Sequence, residues 1–133
     1  MIHFVIPGEP KAKARPRVTT KGITYTPKST VEYENWVKQC YLVKHGQTML
    51  EGEVKATIKA YFGIPKSISQ KRKKLMIDGK VRPTKKPDAD NIAKSVLDSL
   101  NGIAYKDDSA VVALQVDKYF DENPRVEVTL ELI

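Results

Sequence analysis

Cysteine is almost missing from this 133-residue chain: Cys40 stands alone, so no internal disulfide can form. Histidine is nearly as scarce, and His3 and His45 by themselves make no Cys/His cluster of the kind that holds zinc. Both scarcities fit a reducing, cytoplasmic setting. No apolar run approaches the ~20 residues that span a bilayer. The N-terminus also lacks the basic, apolar and small-residue succession of a secretion signal, so no membrane partner is expected. There is no internal repeat or low-complexity tract. A chain of 133 residues is enough for one hydrophobic core and marginal for two, so a single domain over 1–133 is expected. Acids are the remaining shortage. Sixteen Asp and Glu face 23 Lys and Arg, and the net charge of +7 favours a polyanionic partner.

The cations are unevenly spread. Residues 1–30 carry Lys11, Lys13, Arg15, Arg17, Lys21 and Lys28 against Glu9 alone. Residues 66–86 carry Lys66, Lys71, Arg72, Lys73, Lys74, Lys80, Arg82, Lys85 and Lys86 against Asp78 alone. A basic run is often only a solvated face. Two such runs, one ending at a cluster of carboxylates, favour contact with a phosphate backbone. The residues expected to make it are Lys11, Lys13, Arg15, Arg17, Lys71, Arg72, Lys73, Lys74, Lys85 and Lys86.

The carboxylate cluster lies in Lys86–Val112, KPDADNIAKSVLDSLNGIAYKDDSAVV. A helix starting just after Asp88 and reaching about Asn101 gathers Asp90, Asn91, Lys94, Asp98 and Asn101 on one face. Ile92, Ala93, Val96, Leu97 and Leu100 fall on the other. Pro87 blocks extension backwards, Asp88 is a good N-cap, and Gly102 suits the terminus. Asp107 and Asp108 follow a short turn and lead into the apolar run AVVALQV. Capping, the helix dipole and an exposed Lys94–Asp98 pair account for the first group of acids without any function. They leave Asp107 and Asp108 unexplained, because adjacent acids at the mouth of a strand repel each other. A pair of carboxylates from each place can converge on one cation.

In order along the chain, Ile2–Ile6 alternates as a strand, and PGEPKAKARPRVTTKG is a proline-rich basic loop. Lys21-Gly22 turns into ITYT, a short hairpin arm. Pro27 and then Ser29 or Thr30 open a helix to about Lys44, whose core stripe is expected to be Tyr33, Trp36, Val37 and Cys40. Val54–Phe62 alternates as a half-buried strand, and Ser67 or Ser69 caps a basic helix to about Met76. Ala110–Phe120 reads as a long strand in a central position. Val126, Val128, Leu130 and Leu132 of the last strand are expected to face inward. The fold class is α/β (α+β): a mixed sheet of about four strands flanked by helices.

Two segments, KPDADNIAKSVLDSLNG and the following YKDDSAVV, together resemble the signature of the RusA family of Holliday junction resolvases, found in prophages and bacteria. The N-terminal PGEPKAKARPRVTTKGITYTPKST resembles the opening of its phage and Gram-positive branch. The resemblance implies a RusA-like α/β unit that works as a homodimer on four-way DNA junctions, with acids binding Mg2+ and an essential lysine. By position, Asp88 and Asp90 match the aspartates of the family's Asp-x-Asp-Asn, Lys94 its lysine, and Asp108 the second acid of the later pair. Asp98 and Asp107 fall where the pattern is acidic.

Phosphodiester hydrolysis needs an activated water, charge relief on the non-bridging oxygens and stabilisation of the departing 3′ oxygen. Oxygen-only ligands select Mg2+, with Mn2+ a workable substitute. On this reading Asp88, Asp90 and Asp108 hold the metal and Lys94 donates to the scissile phosphate. Asp98 orients Lys94, and Asn91 and Asp107 support the ligands from behind. No small-molecule cofactor is expected. Two matched nicks in a junction require two copies of a chain that carries one acid cluster, hence a homodimer. The competing readings are a non-catalytic nucleic-acid-binding protein and a Mg2+-dependent nuclease acting on flaps or other branched substrates.

Overall fold

Along the chain the elements are β1 (Ile2–Pro7), β2 (Arg17–Val18), β3 (Thr24–Tyr25), α1 (Lys28–His45), β4 (Val54–Gly63), α2 (Gln70–Ile77), α3 (Ala89–Ser99), a 3-10 turn (Asp108–Ala110), β5 (Val111–Asp121) and β6 (Arg125–Leu132). They are those of a computed structural model that describes residues 1–133. Alternation decides which side of each long strand is dry. Ile2, Phe4 and Ile6 of β1, Val54, Ala56, Ile58, Ala60 and Phe62 of β4, and Val126, Val128 and Leu130 of β6 are all buried. These strands belong to one four-stranded sheet in the order β1-β6-β4-β5. β4 and β5 run parallel, while β6 is antiparallel to both β1 and β4. A parallel pair needs a long crossover, and the segment from 64 to 110 supplies it with α2 and α3.

α1 packs against β1 and α3, and α3 against β5. Their buried residues, Tyr33, Val37 and Tyr41 from α1 and Ile92, Ala93, Val96 and Leu97 from α3, join the strand side chains in one hydrophobic core. The result is the expected single α+β layer pair, a mixed sheet covered by the two helices. No helix is long and apolar enough to cross a membrane.

Several expectations are corrected. β5 is an edge strand, not a central one, and Val112 and Leu114 are 57% and 50% exposed. Its second half owes its cover to the linker before α3: Arg82 Nε donates to Lys118 O at 2.7 Å, and Lys118 Nζ donates to Lys85 O at 2.6 Å. Apolar content alone does not separate a strand with two sheet neighbours from one roofed by a linker. Leu132 is half exposed where β6 ends. Trp36 is 40% exposed rather than core, its indole Nε1 donating to Pro7 O at 2.9 Å beyond the sheet edge. Tyr41, one turn on, takes the core place. α1 begins at Lys28 after Pro27 with no side-chain cap, so neither Ser29 nor Thr30 opens it. Ser69 does cap α2, accepting from Arg72 N at 3.2 Å.

The strand order sets unequal costs for truncation. Ile58→Ala, at a fully buried position of β4, is expected to lower unfolding stability by about 2–5 kcal/mol. Val112→Ala on the free edge is expected to change it by about 0.5 kcal/mol or less, both read from urea unfolding.

Candidate active site

Pro87 and Asp88 fix where α3 starts. Asp88 has extended backbone geometry, its carbonyl accepts from Ile92 N at 2.9 Å, and its carboxylate makes no capping hydrogen bond. That carboxylate is therefore not used up by the helix it begins. Burial of Ile92, Ala93, Val96 and Leu97 turns Asp90, Asn91, Lys94 and Asp98 outward, as the spacing predicts. At the far end Gly102 takes φ 74°, a conformation open to glycine, and its amide donates to Tyr105 O at 2.8 Å.

The proline-rich loop forms the opposite wall. Lys13 N donates to Asn91 Oδ1 at 3.0 Å, and Ala14 N donates to the buried Thr30 Oγ1 at 3.1 Å. The loop is thereby fastened to α3 and α1 at successive residues. Between Lys13–Pro16 on this side and Asp88, Asp90, Asn91 and Lys94 on the other lies an open polar cleft.

Lys13 departs from its expected role. Rather than reaching for solvent, its Nζ lies 2.9 Å from Asp98 Oδ2 and 3.9 Å from Glu34 Oε1. The hydrogen bond to Asp98 raises its pKa, burial opposes the rise, and Glu34 and Asp108 add to it. Asp98 consequently does not orient Lys94. Lys94 makes no ion pair and is exposed on the cleft wall.

Asp107 and Asp108 follow a short turn anchored by Tyr105 and do not line the cleft. The buried Tyr105 hydroxyl donates to Leu97 O at 2.6 Å. Burial first, and then the charges of Asp108, Asp98 and Asp107, hold its pKa far above the usual phenol range. Asp107 spends its carboxylate on the turn, accepting from Ser109 N at 3.1 Å. Asp108 lies against the Asp98 carboxyl, and that neighbour together with burial raises its pKa.

The structure thus brings Asp88, Asp90, Asn91 and Lys94 together with the Lys13–Pro16 wall, and Asp108 together with Asp98 and Lys13. It does not gather three carboxylates or imidazoles into a ready-made metal cage. Of the other expected contacts with nucleic acid, Lys11, Arg15, Arg17, Lys71, Arg72, Lys74, Lys85 and Lys86 are exposed. Lys73 is tied to Glu122 at 2.7 Å. The pairing of Lys13 with Asp98, 85 positions away, had no signal in local sequence.

The sequence model described as Endodeoxyribonuclease RusA matches residues 7–131, nearly the whole chain. The chain belongs to the RusA family. The chain is also similar to a Bacillus subtilis (strain 168) protein named "Uncharacterized protein YqaN". It is 40% identical over 134 residues, covering 97% of this chain and 94% of that protein. The RusA assignment supports an endodeoxyribonuclease.

The Asp98–Asp108 contact has a consequence for stability without metal. A carboxyl whose folded pKa is raised binds more protons in the native state, so stability falls as pH rises from the unfolded pKa through the folded one. Asp108→Asn is therefore expected to raise the melting temperature at neutral pH in metal-free buffer. The gain should vanish below the ordinary carboxylate range, as thermal scans across pH would show.

Proposed function

We propose that this protein is a Mg2+-dependent, structure-specific endodeoxyribonuclease that resolves four-way DNA junctions by paired symmetric nicks, acting as a cytoplasmic homodimer in recombination and repair. The observation that carries the reading is a single cleft holding two carboxylates and a lysine, none of them spent on the fold: Asp88, Asp90 and the unpaired Lys94.

The donor set fits a hard divalent ion. Mg2+ is ordinarily held by one or two carboxylates with water and substrate phosphates completing its shell. A cleft without a three-acid cage suits that habit better than it suits calcium or zinc. Asp88 and Asp90 would hold the ion from the start of α3; Asp108, which lies against Asp98, is not needed for a two-carboxylate site. The ion supplies charge relief on the phosphate and an activated water. Mn2+, with the same preference for oxygen, would replace it.

The chain's own groups do the rest. Lys94 stands one helical turn beyond Asp90 and presents an ammonium to a phosphate oxygen as negative charge builds on it. Asn91 lines the cleft with its Oδ1 committed to Lys13 N, which leaves its Nδ2 group as an uncommitted donor. Arg15 borders the same cleft, where it can hold a phosphate flanking the cut. Lys11, Arg17, Lys85 and Lys86 extend that positive surface on either side. Two nicks at matched positions need two such clefts related by a two-fold axis.

Asp90→Asn is expected to abolish junction cleavage, and Lys94→Ala to slow it about 100–1,000-fold. Both variants should bind junction DNA as the parent does in Ca2+, measured by fluorescence anisotropy. Normal cutting by either would remove the assignment. Cleavage rates on four-way junctions, flaps and linear duplex should fall in that order, and light scattering under the same conditions should give twice the chain mass.

A further inference from the structure

Between the cleft wall and α1 the chain makes an arm that the core does not use. β2 and β3 pair over two positions, Arg17 opposite Tyr25 and Val18 opposite Thr24. Their turn is closed by Thr19 N donating to Ile23 O at 2.8 Å and Ile23 N donating to Thr19 Oγ1 at 3.1 Å. Every residue from Arg15 to Thr26 is exposed. A lone two-stranded hairpin is marginal in water unless something packs on it. This one nonetheless holds out Val18, Ile23 and Tyr25 at 65%, 61% and 46% exposure.

Ile23 immediately precedes β3 and its carbonyl accepts from Thr19 N, so the strand's alternation extends to it and sets it on the side of Tyr25, with Arg17 directly across from Tyr25. That side is therefore a small apolar surface with a guanidinium at its border. Around it, residues 10–31 contain Lys11, Lys13, Arg15, Arg17, Lys21 and Lys28 and no acid. A second copy of this chain, itself at +7, is a poor match for such an arm. The charge selects a polyanion, and the side chains select one that offers flat apolar faces. Nucleic acid meets both demands only where bases are unstacked, since an intact duplex presents phosphates and hides base faces. The arm also starts at the lip of the cleft, with Arg15 and Pro16 lining the cleft and Arg17 beginning β2.

We infer that Ile23 and Tyr25 form a wedge that stacks on bases unpaired at the branch point, while the cations of the arm grip the flanking phosphates. This rests on the proposed function only in taking branched DNA as the substrate. Apolar side chains inserted at a base step are a recognised way of holding DNA open, and stacking on an aromatic ring tolerates any sequence. The wedge would therefore select branched structure without selecting bases.

The test uses the full-length protein and a four-way junction carrying 2-aminopurine at the crossover, in Ca2+. Binding of the parent is expected to raise 2-aminopurine fluorescence as the base unstacks. The double variant Ile23→Ala/Tyr25→Ala should abolish the rise and weaken junction binding about tenfold, with duplex binding and melting temperature unchanged. Lys21→Ala should instead weaken both DNAs alike and keep the rise. A fluorescence rise that survives the double variant overturns the inference, as does an equal loss on junction and duplex. So does a loss of binding to anionic phospholipid vesicles with the junction unaffected. If the parent gives the rise yet cuts no junction in Mg2+, the nuclease reading fails and the wedge stands. If it cuts and gives no rise, the wedge fails alone.

Discussion

The contact between Lys13 and Asp98, 2.9 Å long, makes one working surface from two distant parts of the chain. It joins the Lys13 and Ala14 amides in fastening the proline-rich loop to α3 and α1. Together these contacts make the loop a wall set against α3. The ammonium also offsets the negative charge where Asp98 and Asp108 crowd each other. A half-buried pair of this kind is worth more than an exposed one, because water screens it less. Its larger effect is geometric: with Asp98 occupied, Lys94 is left without a partner inside the protein.

That division between committed and uncommitted charge runs through the molecule. Arg125 binds Asp121 and Glu127 and lies 3.9 Å from the Tyr61 ring centroid. Tyr61 stacks on Tyr119, and Arg82 closes the other end, 4.4 Å over Tyr119 and 2.9 Å from Asp117. Arg125 lowers the pKa of Asp121, and Arg82 lowers that of Asp117 and pins the linker that delivers Asp88. Arg82 is thus a structural cation inside what reads in sequence as a uniform basic run. By contrast, Asp88, Asp90, Lys94 and Arg15 make no ion pair within the chain.

Where periodicity was strong, the sequence was legible: α3 with its apolar and polar faces, the alternation of β4, the hairpin arm and the Ser69 cap. Each depends on neighbours within a few residues. β5 misled because its apolar side chains are shared between the core and a roofing linker, a fact of tertiary structure. Trp36 misled because helical spacing places it on the border of the buried stripe, where its indole could reach a strand carbonyl instead. The partner of Asp98 was invisible because Lys94, four residues before it, satisfied the local rule for helical pairs. Asp90, Asn91 and Lys94 share one wall of the cleft along α3, as helical spacing predicts. The separate company kept by Asp108 is set by the Tyr105 turn.

The central claim is that Asp88 and Asp90 hold a divalent ion that substrate phosphate helps to complete. Counting Mn2+ bound to the protein by electron paramagnetic resonance, with and without an uncleavable junction, tests it most directly. The account predicts weak binding alone, strong binding with the junction, and loss of the junction-dependent ion in Asp88→Asn. Junction-dependent Mn2+ binding that is the same in Asp88→Asn as in the parent would contradict it.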